Sequence, residues 1–356
     1  MYRMQEKALI AMSGGVDSSV AAYLMQLKGF DCIGATMRLC DNDLLGNAAN
    51  TTDSTSDAET IARQLQIPFY VFDATKQFRH HVVDNFVACY ESGDTPNPCI
   101  ACNRHLKFDY LLQKALELGC EYIVTGHYAR VEKDETSGRY LLKCACNKDK
   151  DQSYFLSCLT QEQLAHIQFP LGELTKEQVR EIAASQNLIT ARKKDSQDIC
   201  FIPDGDYGEF LVRYTKKTYP QGDYLDLKGN VVGRHNGAVN YTIGQRKGLG
   251  IALGEPVYVC SKDMENNTVT VGPNDALFQK ELFATDWNWF PFPALTAPIR
   301  THAKIRYRHE PQPATVYPEE NGSARVVFDE PQRAITPGQS VVLYEGDTVI
   351  GGGIIR

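Results

Sequence analysis

The chain has 356 residues, which is too long for one ordinary domain and predicts two or three. Hydrophobic residues make up 43% and charged residues 23%, a globular rather than disordered composition. The net charge of −7 provides no overall basic field for a polyanion, so nucleic-acid binding would need a local basic patch.

The first residues of the chain and its cysteines indicate in which cellular compartment the protein is expected. The first seven residues lead directly into a strand-like run and lack a signal-peptide layout, and no apolar run approaches the ~20 residues that cross a bilayer. These features predict a soluble cytoplasmic protein without a membrane partner. Eleven cysteines, an odd number, do not suggest a disulfide scaffold. Reduced thiols are expected, and closely spaced cysteines are candidates for metal or redox chemistry.

The first part of the chain alternates between strand-like and helix-like segments. Strands are predicted at Ala8–Met12, Cys32–Leu39, Phe69–Phe72 and Tyr122–Thr125. Helices are predicted at Asp17–Leu27, at 58–65 after a capping segment at 54–57, at 76–91 and at Asn103–Leu118. This alternation is typical of an α/β fold with a doubly wound parallel sheet.

The pattern changes after Lys150. Helices are predicted at 152–158, 161–167 and 175–186, before a polar turn at 193–198. Short strands rich in β-branched residues follow, for example Thr268–Val271, Ala324–Phe328 and Ser340–Tyr344. We therefore expect an α/β catalytic domain at 1–205, a small central α/β domain at 206–275 and a C-terminal β-barrel-like domain at 276–356.

The segment between the first predicted strand and helix reads Ser13-Gly14-Gly15-Val16-Asp17-Ser18-Ser19. The glycines allow a tight turn and close approach to an anion, and the amides at the helix N-terminus supply donors and partial positive charge. The serine hydroxyls add donors, and Asp17 is a candidate ligand for Mg²⁺ at phosphate oxygens. No lysine stands where a Walker A motif has one, so γ-phosphate transfer is not indicated.

A helix-capping turn is the plain alternative for this segment. The full heptad between a strand and a helix instead predicts a pyrophosphate site. It resembles the PP-loop of the N-type ATP pyrophosphatases. That resemblance implies cleavage of ATP between its α- and β-phosphates and adenylation of an acceptor, which the heptad does not identify.

Three further cysteines are candidates for chemistry. Cys99 and Cys102 form a C-x-x-C motif after two prolines, and Cys200 follows the polar turn. Cys102 is predicted near a helix start, where backbone amides stabilise a thiolate and lower its pKa from about 8.5. A zinc site lacks the usual second C-x-x-C, and a thioredoxin-like role lacks its fold context. An iron–sulfur cluster held by all three sulfurs stays open, beside the favoured pair of catalytic thiols.

Several motifs in sequence order resemble the tRNA-specific 2-thiouridylase family and extend over nearly the whole chain. They are the PP-loop, Thr95-Pro96-Asn97-Pro98, Cys102-Asn103, Lys107-Phe108, Thr125-Gly126-His127-Tyr128, Lys150-Asp151-Gln152-Ser153-Tyr154, Asp195-Ser196-Gln197-Asp198-Ile199-Cys200-Phe201-Ile202 and Gly244-Gln245-Arg246-Lys247-Gly248-Leu249-Gly250.

The resemblance implies a defined reaction. ATP adenylates the C2 oxygen of the wobble uridine (U34) of tRNA, and sulfur displaces AMP. Cys200 matches the cysteine that carries the persulfide sulfur. Cys102 matches the nucleophile that attacks the persulfide or resolves the resulting disulfide. The chain has no recognisable sulfur-carrier segment, so an external donor such as a cysteine desulfurase or a persulfide relay protein is expected, with tRNAs of the Lys, Glu and Gln type as acceptors.

The resemblance also implies two sets of binding residues. ATP would be bound, with Mg²⁺, by Ala11, Met12, Ser13, Gly14, Gly15, Val16, Asp17, Ser18, Met37 and Gly126. The tRNA would be contacted by Asn97, Pro98, Cys99, His127, Lys150, Asp151, Gln152, Arg306, Tyr307 and Gln339. Cys99 departs from the family, because well-known members have an aspartate there that contacts the target base. A thiol is no substitute for that carboxylate as a general base, but it supplies a third sulfur ligand for the cluster alternative.

A basic stripe is predicted in the C-terminal part. Residues 287–309 contain no acidic residue, and alternation puts one set of side chains on one strand face: Arg300, His302, Lys304, Arg306 and Arg308. Trp287, Trp289 and Tyr307 are expected to stack on RNA bases. The alternative is an ordinary solvated strand face.

Two other functions remain open from the sequence. Another PP-loop adenylating enzyme, such as a small-molecule ligase, would turn over ATP without tRNA and would not need Cys200. A non-enzymatic RNA-binding or iron–sulfur protein would form no AMP.

Overall fold

The protein is described by a computed structural model that covers residues 5–41, 44, 54–191, 193 and 199–356. Of the predicted polar turn at 193–198, only Lys193 belongs to the described residues. Within the described ranges, no helix is long and apolar enough to cross a membrane.

The described strands, in chain order, are β1 (Lys7–Ala11), β2 (Asp31–Arg38), β3 (Phe69–Asp73), β4 (Tyr122–Val124), β5 (Ala129–Lys133), β6 (Tyr140–Cys144), β7 (Ile167–Gln168), β8 (Gly222–Leu225), β9 (Val231–His235), β10 (Tyr258–Asp263), β11 (Thr268–Gly272), β12 (Phe278–Trp289), β13 (Ile299–Lys304), β14 (Gln312–Pro318), β15 (Ala324–Arg333), β16 (Ser340–Glu345) and β17 (Thr348–Ile355). They form three sheets, which correspond to the catalytic, central and C-terminal parts of the chain.

The first sheet is parallel and confirms the predicted α/β architecture. Its order is β3-β2-β1-β4-β7, so the chain runs to one side of β1 and later returns on the other side. Ligands bind to such sheets at the carboxyl edge, where the strand order reverses. The carboxyl end of β1 is that place here. The short β7 was not predicted, because the helix expected at 161–167 ends at Ala165.

The described helices agree with most of the predicted ones. They are Val16–Leu27, Ser54–Gln64, Thr75–Phe78, Arg79–Asp84, Asn85–Glu91, Pro98–Cys102, Asn103–Tyr110, Leu111–Glu117, Ser153–Leu156, Gln161–Ala165, Lys176–Ser185 and Tyr207–Thr215. The segments between residues 75 and 91 form one continuous helix, as do those between 98 and 117, and each has a π-helical middle part. The second of these helices begins at Pro98 rather than at the predicted Asn103.

The central sheet has the order β10-β11-β8-β9 and packs around its own small core, which includes Tyr224, Val259 and Val269. The helix Tyr207–Thr215 that precedes it packs elsewhere. Its Phe210 and Leu211 join a core formed by helices of the first domain.

The C-terminal strands close a six-stranded barrel. The order β12-β15-β14-β13-β16-β17 is completed by pairing between β12 and β17, which confirms the barrel-like prediction. The unpredicted hairpin β5–β6, from the first domain, adds two strands through one β17–β6 pairing. One apolar cluster contains Leu9 and Tyr154 together with Phe290 and Val342 of the barrel. The barrel is therefore fixed to the catalytic domain by a shared core.

Candidate active site

The phosphate loop lies at the carboxyl end of β1 and leads into the helix Val16–Leu27. Gly14 has φ +67°, a conformation that costs glycine little and other residues more. The hydroxyls of Ser18 and Ser19 both donate to the Gly15 carbonyl, at 3.1 and 2.9 Å. These contacts brace the loop from within, and the N-cap residue Gly15 gives the first helical amides no side-chain hydrogen bond, which is the arrangement that the predicted anion site requires.

Gly126 packs directly against this loop. A Cβ at Gly126 would lie 2.8 Å from the backbone of both Asp17 and Ser18, so only glycine fits here. Met37, near the end of β2, is partly buried and packs against the cores on both sides of this region. Met12 is buried beneath the loop, where its amide donates to Ala35 at 2.7 Å. These predicted ATP residues therefore lie around one edge of the sheet.

Two lysines distant in sequence lie at the loop, and the sequence reasoning missed both. The ammonium of Lys176 is 2.8 Å from each carboxylate oxygen of Asp17, and Tyr128 also donates to Asp17 at 2.8 Å. The ammonium of Lys193 donates to the Gly14 carbonyl at 2.9 Å and to Asp57 at 2.6 Å. Both oxygens of Asp17 are thus engaged by a cation, so a Mg²⁺ ion on Asp17 would have to compete with Lys176.

The start of the helix at Pro98 is encoded locally. The Asn97 side chain caps it by accepting from the Cys99 amide at 3.2 Å, and Pro98 occupies the first helical position, where its missing N–H costs nothing. Cys102 therefore lies more than a turn into the helix and is buried. Sequence reasoning could have found this start, because Asn-Pro is a known combination at helix N-termini.

The expected low pKa of Cys102 is wrong. Burial raises the pKa of Cys102 and of Cys99 above the ordinary value, and the nearby Lys107 offsets this only in part. Helix-terminal amides act mainly within the first turn, whereas Cys102 lies beyond it. In this state of the protein both groups are neutral thiols.

Cys200 comes close to the other two thiols despite the 98 residues that separate it from Cys102. Burial raises its pKa most, and repulsion from Cys102, Cys40 and Cys99 raises it further. Its neighbours Phe201 and Ile202 belong to the same buried cluster as Cys102. All eleven cysteines are described and all are free thiols.

Cys40 is a fourth thiol at this place and was not predicted. It packs against the cluster that contains Cys102, and burial, followed by Asp41 and Cys102, raises its pKa to about 12. Because Cys40 follows the end of β2, the sequence could have placed it at the carboxyl edge of the sheet. A contact with Cys102 could not be seen from the sequence.

The thiols do not form a metal centre as they are placed. Among the described residues, no group of three His, Cys, Asp or Glu side chains is arranged to hold a metal ion. An iron–sulfur cluster on Cys99, Cys102 and Cys200 therefore does not fit this arrangement, and we derive no step through one.

Lys107 and His127 connect the thiols with the phosphate loop. Lys107 acts electrostatically on Cys99, Cys102 and Cys200, and its ammonium is 3.5 Å from His127 Nε2. His127 follows Gly126 and receives or donates a hydrogen bond at 2.7 Å with Thr125. Burial and Lys107 hold the pKa of His127 well below its ordinary value, so the ring is neutral. One short series of residues thus joins the phosphate loop to the thiols.

The predicted tRNA residues at 150–152 lie beside this path but bond largely to the protein itself. The buried Asp151 accepts from the Ala145 amide at 2.9 Å and from the Ser153 hydroxyl at 2.7 Å. Gln152 accepts from the Tyr128 amide at 3.0 Å. Lys150 ends a short helical turn and is partly exposed.

The prediction that the basic side chains lie on one face of a single strand is wrong. β13 ends at Lys304, so Arg306 and Arg308 lie in the following turn, and Arg300 is paired with Asp329 on β15. Arg306 donates to the Arg333 carbonyl at 2.8 Å, and the ammonium of Lys304 lies 5.6 Å from the Tyr307 ring centroid. The acidic partner, Asp329, comes from another strand and lies outside the segment 287–309 from which the stripe was predicted.

The three aromatic residues are also engaged by the protein. Trp287 and Trp289 stack on each other with ring centroids 4.7 Å apart, and Trp289 is buried in the barrel. Tyr307 packs on Phe155 at 4.4 Å between ring centroids. Each of these three rings already packs against another ring of the protein, and Trp289 is buried, so Trp289 does not offer the open face that we expected for base stacking.

Gln339 reaches from the barrel to the loop before the helix at Pro98. Its amide donates to the Thr95 carbonyl at 2.6 Å, and the Thr95 amide donates to the Pro337 carbonyl at 2.9 Å. A Cβ at Gly338 would lie 2.8 Å from the Thr95 amide. The barrel therefore holds the segment that presents Asn97 and Cys99.

Family models match the chain in three consecutive parts. Residues 6–204 match the tRNA methyl transferase HUP domain, residues 208–273 the tRNA methyl transferase PRC-barrel domain and residues 279–355 the aminomethyltransferase beta-barrel domain. Together they account for nearly the whole chain.

Curated relatives carry a more specific name. The tRNA-specific 2-thiouridylases MnmA of Clostridioides difficile and of Acetivibrio thermocellus are each 49% identical to the chain, over 356 and 357 residues. Each alignment covers 99% of both proteins. Among solved structures, the U34-tRNA thiolase NcsA from Methanococcus maripaludis, with its 4Fe-4S cluster, has a TM-score of 0.35 at 16% identity, over 60% of this chain and 71% of that chain. Likeness at that level says nothing about mechanism.

Proposed function

This chain belongs to the tRNA-specific 2-thiouridylase family, and from that premise we propose how it thiolates the wobble uridine, U34, of tRNA with ATP. The observation that carries the proposal is the short path from the phosphate loop through Gly126, His127 and Lys107 to the thiols. Adenylation and sulfur transfer act on one uracil carbon, so their groups must meet at one place.

In the first step the uracil O2 attacks the α-phosphate of ATP. A bond from O2 to phosphorus forms, and pyrophosphate leaves. The loop amides and the N-terminus of the helix Val16–Leu27 neutralise charge on the phosphates, and Mg²⁺ would supply further positive charge there. Ala11, Met12, Met37 and Gly126 surround the nucleotide in this proposal.

In the second step a persulfide on Cys200 delivers its terminal sulfur to C2, and AMP leaves. If Cys102 attacks the Cys200 sulfur before that delivery, hydrosulfide leaves and itself attacks C2. If Cys102 attacks after it, the S–S bond between Cys200 and the uracil breaks and the thiolate of 2-thiouridine leaves. In either order, a Cys102–Cys200 disulfide remains, and an external dithiol must reduce it. Lys107 favours the thiolate forms that these attacks require.

The partners follow from the same proposal. The catalytic domain, 1–205, would bind ATP and sulfur, the central domain would be 206–275, and the barrel, 276–356, would contact tRNA. The proposed tRNA contacts with exposed or half-buried surface are Asn97, Cys99, Lys150 and Arg306. The other two proposed contacts, Pro98 and the His127 ring, are buried and would meet tRNA only after a local rearrangement. Asp151, Gln152, Tyr307 and Gln339 would shape that surface through their contacts within the protein. The tRNA acceptors would be of the Lys, Glu and Gln type, and an external persulfide donor would load Cys200.

The test is mass spectrometry of nucleosides from unmodified tRNA incubated with protein, ATP, Mg²⁺ and a persulfide source. We expect 2-thiouridine at the wobble position with the wild-type protein and with Cys260→Ser, a control in the central sheet. Cys200→Ser should form none. Wild-type protein that binds ATP but makes no 2-thiouridine, even when handled anaerobically, would reject U34 as the acceptor.

A further inference from the structure

The phosphate loop lacks a cation within its own sequence, yet ATP brings several negative charges to it. The end of a helix contributes only about half a positive charge. Lys176 is committed to Asp17, with both carboxylate oxygens at 2.8 Å. A charge to balance the pyrophosphate part of ATP must therefore come from another side chain or from a metal ion.

Lys193 has the geometry for this task. Its ammonium lies 2.9 Å from the Gly14 carbonyl, so it is within hydrogen-bond reach of the loop backbone itself. An ammonium has three N–H donors. Two are directed to Gly14 and Asp57 among the described residues, and the side chain is about one-third exposed (35%).

The protein backbone fixes Lys193 at this place. The Thr190 hydroxyl donates to the Ser19 hydroxyl at 3.1 Å, and the Lys193 amide donates to the Thr190 carbonyl at 2.9 Å. Arg180 reaches the Ala191 carbonyl at 3.3 Å from the helix Lys176–Ser185. The first of these three contacts joins the segment to the first helix, and the other two hold Lys193 and Ala191 in place beside it.

We propose that Lys193 is the residue that binds the β- and γ-phosphates of ATP in the loop, and that Asp57 holds its ammonium there while the loop is empty. The proposal rests on the ATP-dependent function proposed above. Phosphate binding would exchange the Asp57 contact for a phosphate contact, and the Gly14 contact would remain. Lys193 would thereby take the role that a Walker A lysine has, from a position far outside the loop.

A purely structural role for the ion pair makes a different prediction. If the Lys193–Asp57 pair served only to hold the helix Ser54–Gln64, loss of either partner would have the same effect. If Lys193 binds phosphate, Asp57 is its competitor. Removal of the Asp57 charge should then leave pyrophosphate affinity unchanged or raise it.

The experiment measures the dissociation constants of ATP, pyrophosphate and AMP by calorimetry, with Mg²⁺ and separately with EDTA. For Lys193→Met we expect ATP and pyrophosphate to bind about 10- to 100-fold more weakly, the loss typical of a charged hydrogen bond, and AMP to bind as in wild type. Asp57→Asn should bind pyrophosphate in EDTA at least as tightly as wild type. Lys193→Arg should recover part of the affinity.

Lys217→Met is the matched control, because Lys217 pairs with Glu91 at the same 2.6 Å distance but away from the loop. It should leave all three constants unchanged. Equal weakening of ATP and AMP by Lys193→Met, equal losses in Lys193→Met and Asp57→Asn, or no loss in Lys193→Met would each overturn the inference. Wild-type protein that binds neither ATP nor pyrophosphate would instead reject the ATP-dependent function.

Discussion

The phosphate loop and the thiol cluster, which we define as Cys40, Cys99, Cys102 and Cys200, lie at the same sheet edge but differ in how ready they are for chemistry. The loop is preformed, with Ser18 and Ser19 bonded to Gly15 and with lysines in reach. In the thiol cluster, burial raises the pKa of all four groups. The loop that we propose as the anion site is thus braced by the chain itself, whereas burial keeps the four thiols protonated.

This difference has a chemical consequence. A preformed loop binds nucleotide without the cost of ordering it, whereas neutral thiols are poor nucleophiles. Sulfur transfer would therefore require a further partner, either a persulfide on Cys200 or a tRNA that changes the surroundings of the cluster. Substitutions that affect one region and leave the other intact can break or sharpen the comparison.

Substitution of the thiols is expected to have the largest effect on activity. Cys102→Ser and Cys200→Ser should each lower the rate of tRNA thiolation by about 1000-fold or more, since each removes an obligatory bond-forming sulfur. The ATP dissociation constant should stay within about twofold of wild type. Cys40→Ser should retain thiolation, because Cys40 has no role in the proposed steps. Loss of ATP binding in the Cys102 or Cys200 variant would show that the two regions are not separable.

The next effect concerns the loop. Gly126→Ala places a Cβ 2.8 Å from the backbone of Asp17 and Ser18, so the loop must shift, at a cost of about 1–3 kcal/mol. We expect ATP affinity to fall about tenfold or more while the alkylation rate of Cys102 is unchanged. Gly233→Ala, which meets Ile251 in the central domain, is the control for a glycine substitution with a close contact. Unaltered ATP affinity in Gly126→Ala would contradict the preformed loop.

Lys107→Met should affect the thiols and not the nucleotide. Lys107 lowers the pKa of Cys99, Cys102 and Cys200. Its removal therefore raises these pKa values, and a smaller fraction of each cysteine is thiolate at any pH below its pKa. Alkylation by iodoacetamide at about pH 8, followed by mass spectrometry of each peptide, should become several-fold slower, with the pH profile displaced upward. Lys114→Met, on the same helix but paired with Glu117, serves as the control. Equal alkylation rates in Lys107→Met and wild type would remove Lys107 from the mechanism.

The smallest effect is on stability in acid. The pKa of His127 is well below its ordinary value because the ring is buried beside Lys107. As the pH falls below about 6.5, His127 becomes protonated in the unfolded chain but stays neutral in the folded chain. The free energy of unfolding therefore decreases by about 1 kcal/mol per pH unit because of this group. Urea unfolding at pH 7.5, 6.5 and 5.5 should show a shallower decline for His127→Asn than for wild type. His80→Asn, at an exposed position, should decline as wild type does.

Local patterns predicted much of the fold. The strands β1 to β4 and the helix Val16–Leu27 were found to within a residue or two, because apolar runs and turn residues lie next to each other in the sequence. The hairpin β5–β6 was missed. Its strand β6 pairs with β17, more than two hundred residues away, so part of its support comes from a partner that no local window contains.

The candidate site likewise has features that the local sequence determines and features that depend on residues far apart in the chain. Seven consecutive residues determined the phosphate loop, since glycine conformation, serine hydroxyls and a helix start act within one turn of each other. The sequence also identified Cys102 and Cys200 as thiols of interest, first from the C-x-x-C spacing and the polar turn and then through motif resemblance. Only the tertiary structure brought Lys176, Lys193 and Cys40 to them and paired Arg300 with Asp329. Charge balance and desolvation depend on distances through space, and those distances are decided by how the sheets and helices pack.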